Sequence, residues 1–298
     1  MSIWGDSSSE EEEESNDEET ANICLVAQEN EESETDEVNH ELLLPLLEIL
    51  LLDELAPSME TWTVVVKVDR VFTRTEYDVT ERDLGYPKKL ISLDMIVFDE
   101  QQTRMLLRID GDELIDHFCN LIIEGQVYLI QYFSVGLGGG GIHSKHHIVV
   151  LHNILVQERN FIFPLYCFKI WFVEAIRRDS SPGCKVRDVF GLLVSIEKIK
   201  WARVRGVLTR VMTFVIRDPQ GDMVRCVLFG DSADEAWKSY LPLKRMHKLV
   251  ALINYAVVNR QHGKFCLKNY ANATKVFWNP TFTEIMLLRR ALLLGVIA

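Results

Sequence analysis

The sequence predicts an all-β chain with minor α: two tandem five-stranded barrels, each with one helix between its third and fourth strands. Three observations predict it. A segment recurs: residues 90–118 (LISLDMIVFDEQQTRMLLRIDGDELIDHF) and 209–237 (TRVMTFVIRDPQGDMVRCVLFGDSADEAW) match when Asp99 is laid on Asp218, 119 residues further on. Each copy reads apolar strand, polar turn, apolar strand, acidic helix start, with an aromatic 19 residues after the aspartate (Phe118, Trp237) that points inward. So long a repeat marks two copies of a small domain, because solenoid units run about 20–50 residues. The length of 298 residues and the 48% hydrophobic content leave room for about two domains with real cores.

Residues 1–57 form an acidic tail followed by a Leu-rich segment. The run SSSEEEEESNDEE buries too little apolar surface to offset its ordering entropy, so residues 1–39 are expected to be disordered. Residues 40–57 read as a helix broken at Pro45 that packs as an adapter on the first domain. The first barrel spans 58–158. Trp62, Val64, Val66 and Val68 share one parity of a long strand. Strands at Leu90–Phe98 and Thr103–Ile109 flank the turn DEQQ, a helix covers 112–123, and strands follow at Gln126–Val135 and Ile148–Gln157. An aromatic linker occupies 159–186. The second barrel spans 187–281, with strands at Arg187–Ile199, Arg210–Arg217, Asp222–Phe229, Met246–Asn259 and Lys264–Asn272 and a helix near 231–240. A basic loop, KWARVRG (200–206), separates its first two strands. Residues 282–298 are an apolar helix candidate. Three strands, a helix and two strands, occurring twice, is the order of the OB-fold, a Greek-key barrel.

The net charge of −12 is unevenly distributed. Residues 1–56 hold 19 of the 44 acids and no Lys or Arg, so the other 25 acids face all 32 bases, a net of +7. A basic body behind an acidic tail points to a polyanionic partner for the body. The six cysteines lie far apart with no CxxC, which argues against zinc. The acidic N-terminus lacks a basic signal-peptide region. The one long apolar run, 42–52, is too short to cross a bilayer, so no membrane is expected. Gly136–Gly141 (GLGGGG) opens no helix and lacks a following Gly-Lys-Ser/Thr, so it is a hairpin loop and not a phosphate cradle. No Gly-x-Ser-x-Gly nucleophile motif occurs, and no enzyme or cofactor is expected.

Three segments carry a resemblance: DVFGLLVSIEKI (188–199), TFVIRDPQGDMVRCVLFGDSADE (213–235) and FCLKNYANATKVFWNP (265–280). They resemble the second DNA-binding OB-fold of the replication protein A large subunit, and the first copy is similar to the OB-fold before it, as in plant relatives with this two-barrel layout. The resemblance implies single-stranded DNA as partner, roles in replication, repair and recombination, and a nuclear location. It also points to the other replication protein A subunits, although the zinc-bearing C-terminal OB-fold of that family is missing from the match. The tail MSIWGDSSSEEEEESNDEETANICLVA resembles an acidic linker of copia-type retrotransposon gag proteins, or is a generic acidic tail. The alternatives are an OB-fold scaffold for proteins and a transposon-derived fusion without DNA binding.

Binding a single strand requires cations along a groove and aromatic rings on which bases stack. Leu228 and Phe229 break the alternation of the third strand, so one of them faces away from the core. Phe229 takes the position of the family's stacking aromatic. Trp201 is a second stacking candidate. Arg203, Arg205 and Arg210, with Arg225, are the candidate phosphate contacts of the second barrel. In the first barrel Arg104, Arg108, Lys88 and Lys89 are the candidates, supported by Arg70 and Arg74. Ile109 is expected at the stacking position there, where an aliphatic side chain cannot serve. His143, His146 and His147 follow the glycine run as weak contacts, without the partners that a metal site needs.

Overall fold

The computed structural model describes residues 49–57, 63–75, 90–138, 142, 146–150, 155–158, 161–179, 186–204, 206–261 and 264–294. Lys88, Lys89, Arg205 and His143 lie outside them, as do residues 1–48. The chain divides into Met1–Leu43 and Leu44–Ala298, and both barrels belong to the second unit.

The first barrel comprises β1 (Thr63–Thr75), β2 (Leu90–Phe98), β3 (Arg104–Asp110), α1 (Asp112–Leu121), β4 (Val127–Gln131), β5 (Ser134–Leu137), β6 (His146–Val150) and β7 (Leu155–Glu158). Its order is β5-β6-β3-β2-β1-β4-β7. The strand expected over 126–135 is broken at Tyr132, whose φ of 60° turns the chain. Before the break β4 pairs with β1, and after it β5 pairs with β6. β6 lies parallel to β3, which closes the barrel. Alternation decides the core: Val64, Val66 and Val68, then Leu93, Met95 and Val97, then Met105, Leu107 and Ile109 point in, and Phe118 of α1 plugs one end.

The second barrel follows β8 (Ile170–Trp171) and α2 (Val173–Arg178). It comprises β9 (Val186–Ile196), β10 (Lys200–Val204), β11 (Val207–Arg217), β12 (Met223–Phe229), α3 (Asp231–Tyr240), β13 (Val250–Gln261), β14 (Lys264–Asn269) and β15 (Lys275–Trp278). Its order is β10-β11-β12-β14-β13-β9-β8; β9 also pairs with β11, and β15 with β13. Trp237 meets the sequence expectation in part, packing against the core without being enclosed by it. It is half-buried at the edge, 5.5 Å from Tyr240, while α3 turns Ala233, Ala236 and Tyr240 inward. Trp278 of β15 fills the space that these alanines leave, and its indole N–H donates to the Ala236 carbonyl at 3.0 Å. The helix α4 (Thr283–Leu294) packs Ile285 on the outer face of β9 and β13, against Phe190, Val250 and Leu252.

The two aspartates that align the repeat perform one task twice. Asp99 accepts from the Thr103 N–H at 2.7 Å, inside its own turn, and from the Leu52 N–H at 3.0 Å. Asp218 accepts from the Gln220 and Asp222 N–H groups at 2.9 and 3.0 Å, and from the Val173 N–H at 2.8 Å. Each carboxylate thus ties a preceding segment over a barrel end, where Leu52 and Leu55, or Val173 and Ile176, complete the core. Residues 49–57 do pack as an adapter, but as a bridge to Val64 and a turn and not as the expected helix. The stretch 159–186 is more than a linker, because α2 is the lid of the second barrel.

The barrels share a buried polar junction. Arg104 donates to Asp188 at 2.7 Å, with both side chains about as buried as the core (1% and 0% exposed). Asp188 also accepts from the N–H groups of Lys169 (2.8 Å) and Tyr255 (3.0 Å). Tyr255 reaches the junction because a register shift between Ile253 and Ala256 breaks the alternation of β13. Its φ of 55° turns it out of the barrel. There its hydroxyl donates to Asp69, and the Arg104 guanidinium lies 4.6 Å from its ring centre. Arg70 donates to the carbonyls of Ala273 and Asn272, both at 2.9 Å. Phe72, Ile96 and Leu106 meet Val186, Tyr255 and Ala273 around this network.

Removing one partner of a buried pair leaves the other charge uncompensated. Asp188→Ala is expected to destabilise the chain by about 3–5 kcal/mol, read from the urea midpoint. Burial pushes the Asp69 carboxyl above its ordinary value of 3.8, and the Tyr255 hydroxyl and Arg104 oppose that shift. With a raised folded pKa, the stabilisation is complete below the unfolded value and is lost as pH rises through the folded one. As pH rises above about 4, the unfolding midpoint of Asp69→Asn should decline less than that of the parent.

Candidate nucleic-acid interface

The outer face of β11 and β12 is the part of the second barrel that the OB-fold uses for oligomers. Alternation along β12 turns Val224, Cys226 and Leu228 into the core and leaves Met223, Arg225, Val227 and Phe229 outside. Of the two residues that break the pattern, Leu228 is the core one and Phe229 is half-buried on the groove side. Arg225 shares its face. Phe229 is held at the backbone: its N–H donates to Asn269 Oδ1 at 3.0 Å, and Asn269 Nδ2 donates to the Phe229 and Ala271 carbonyls at 3.3 and 2.7 Å. The parallel pair Val227–Lys268 sets Lys268 beside the ring, its ammonium 5.9 Å from the centre.

The expected basic loop is instead a β-hairpin. β10 pairs with β11 through Trp201–Arg210 and Arg203–Leu208, and the chain turns at Gly206 (φ 85°). Trp201 is 60% exposed. Arg210 lies 5.2 Å from the Trp201 ring centre and 3.4 Å from Asp234. Arg203 is exposed near the hairpin end, with Nη1 3.3 Å from the Gly206 carbonyl. Phe229, Trp201 and Arg210 line one cleft of about 560 Å3. The structure thus brings together Phe229, Trp201 and Arg210, with Arg225 along the same strand face.

The first barrel departs from expectation twice. Arg104 is no groove cation, because its charge is buried against Asp188 in the junction. Ile109 is not the counterpart of Phe229. Ile109 pairs with Leu93 and Asp110 with Ser92, as Leu228 pairs with Met212 and Phe229 with Val211. Both helices then start after a positive-φ glycine, Gly111 and Gly230. Ile109 therefore matches Leu228, both in the cores, and exposed Asp110 stands where Phe229 does. A carboxylate at that place repels phosphate and offers no ring. Arg108 is half-buried and donates to Asp94 at 3.1 and 3.2 Å. His147 packs on Gly136, where a Cβ would lie 2.5 Å from its ring, and burial lowers its pKa. Among the described residues no group of three or more His, Cys, Asp or Glu could hold a metal, and no helix is long and apolar enough to cross a membrane.

Sequence reasoning missed Lys268 and Asn269. The alternation of KFCLKN, with Leu267 in the core, signals that Lys268 points out. Its neighbourhood to Phe229 depends on the parallel closing register, which no local pattern encodes.

The family model described as Domain of unknown function DUF223 matches residues 53–175. No curated protein matches the sequence. Among solved structures the chain is similar to a replication protein A heterotrimer bound to ssDNA: TM-score 0.55 and 18% identity over 84% of this chain. It spans 56% of that chain. The Ifi202 HINa domain in complex with 20bp dsDNA gives a TM-score of 0.37 and 13% identity, over 72% of this chain and 95% of that one, a likeness too low to carry an argument. The likeness to replication protein A shows the fold, tandem OB-fold barrels.

Asn269 makes two hydrogen bonds to the end of β12, through the Phe229 backbone, and a third to the Ala271 carbonyl. Asn269→Ala should lower stability by about 1–3 kcal/mol, measured as a shift of the urea midpoint at constant slope.

Proposed function

We propose that this chain is a non-enzymatic module that binds single-stranded DNA, chiefly through its second barrel, in nuclear replication, repair and recombination. The observation that carries the reading is the Phe229 platform. Its backbone is clamped by Asn269, and its ring is flanked by Lys268 and opens onto the cleft shared with Trp201 and Arg210. A ring carried on a fixed backbone lowers the ordering cost of stacking, which is worth about 1–3 kcal/mol per base. Arg203, Arg225 and Lys268 would follow the phosphates. The likeness to replication protein A supports the barrel on which this arrangement sits, and the family match, residues 53–175, lies on the first barrel and the segment after it.

A scaffold role for the first barrel is favoured by Asp110 at the stacking position and by the burial of Arg104 in the junction. The two readings separate in a salt titration with labelled dT30. Phe229→Ala combined with Arg203→Ala should weaken binding at least about tenfold at moderate salt. Lys268→Ala should reduce the steepness of log K against log salt by about 0.7. A double variant that binds like the parent removes the groove assignment, and a parent that does not bind leaves the scaffold.

A further inference from the structure

The outer face of β2 and β3 is closed over part of its length. Ile96 and Leu106 are covered by Val186, Tyr255 and Ala273 of the second barrel. Phe98 faces Phe163, ring centres 6.1 Å apart. At the open end Asp94 engages Arg108 and lies 3.6 Å from Arg74, and Asp110 is exposed beyond them. A single strand therefore has no continuous track along this face comparable to the one on β11 and β12. β1 runs past the closed part, and its end enters the other barrel's site. Thr73 and Arg74 form one wall of the cleft whose remaining walls include Trp201, Arg210, Phe229 and Asn272.

We propose that this cleft between the barrels takes bases of the strand bound on Phe229, so that the two barrels make one composite site rather than two sites in series. The inference rests on the second-barrel reading above and adds Arg74 and Thr73 of the first barrel to it. Three features support it. Arg74 is 44% exposed and its ion pair to Asp94 is long at 3.6 Å, so its planar guanidinium is available to a base face. Asp231 and Asp234 also line the cleft, with Asn272 donating to Asp231 at 3.2 Å. Carboxylates exclude phosphates and accept from base N–H groups, the thymine N3–H among them, which turns bases inward and leaves the backbone to Arg225 and Lys268. The buried Arg104–Asp188 pair holds the two walls at a set separation, so the cleft exists before the strand arrives.

The test uses the full chain and labelled oligo-dT of graded length, read by anisotropy. Arg74→Glu is expected to weaken dT30 binding about tenfold or more. Arg290→Glu makes the same charge change on exposed α4, on the far outer face of the second barrel, and should change binding less than about twofold. Thr73→Lys adds a cation to the same wall and should tighten binding, which guards against a loss caused by misfolding. Affinity should stop rising within the span of one OB-fold, about 4–16 nucleotides. If Phe229→Ala weakens binding while Arg74→Glu behaves like Arg290→Glu and Thr73→Lys has no effect, the composite site is overturned and the second-barrel reading stands. Affinity that keeps rising to twice that span also overturns it. A parent chain that does not bind dT30 overturns both.

Discussion

The Asp188 carboxylate is the constraint on which the arrangement depends. It is fully buried at the start of the second barrel and accepts from Arg104 of the first barrel, Lys169 of the linker and the Tyr255 backbone. Three donors on one carboxylate make burial tolerable where an isolated charge would be expelled. An arginine pushed further above its already high pKa by that carboxylate stays charged at any working pH. Each barrel's orientation therefore becomes a property of the other.

A difference between the two outer faces follows from that link. Two copies of one fold, each lidded through an equivalent aspartate, present different outer faces. In the first copy Arg104, Ile96 and Leu106 are committed to the junction, and Asp110 replaces an aromatic. In the second copy the same strands stay open, and the β10–β11 hairpin adds Trp201 and Arg210 beside Phe229. The bulge at Tyr255 is a local device with a distant effect: it removes an aromatic from one core and supplies it to the interface.

Part of the candidate cleft is legible in the sequence. Phe229 was found because Leu228-Phe229 violates a period of two, and one of the pair had to leave the core. Arg203, Arg210 and Trp201 were found as a cluster in sequence, although as a loop, because hairpin pairing across Gly206 leaves only a short alternating signature. Ile109 was misassigned by one residue. The 119-residue offset that lays Asp99 on Asp218 also lays Ile109 on Leu228 and Asp110 on Phe229, and the cross-strand register agrees. Arg104 was misread because an arginine in an alternating strand looks solvent-facing until a second domain covers it.

The sequence by itself determined the barrels: alternation, the Asp99/Asp218 repeat and the helix position are local or short-range signals, set by the two-residue period of strands and the energetics of turns. The tertiary structure alone decided which outward-facing residues meet water. Packing of one barrel on the other joins residues as far apart as Asp69 and Tyr255, and Arg104 and Asp188. Desolvation there converts a surface cation into a buried structural charge, and no pattern within either copy carries that information.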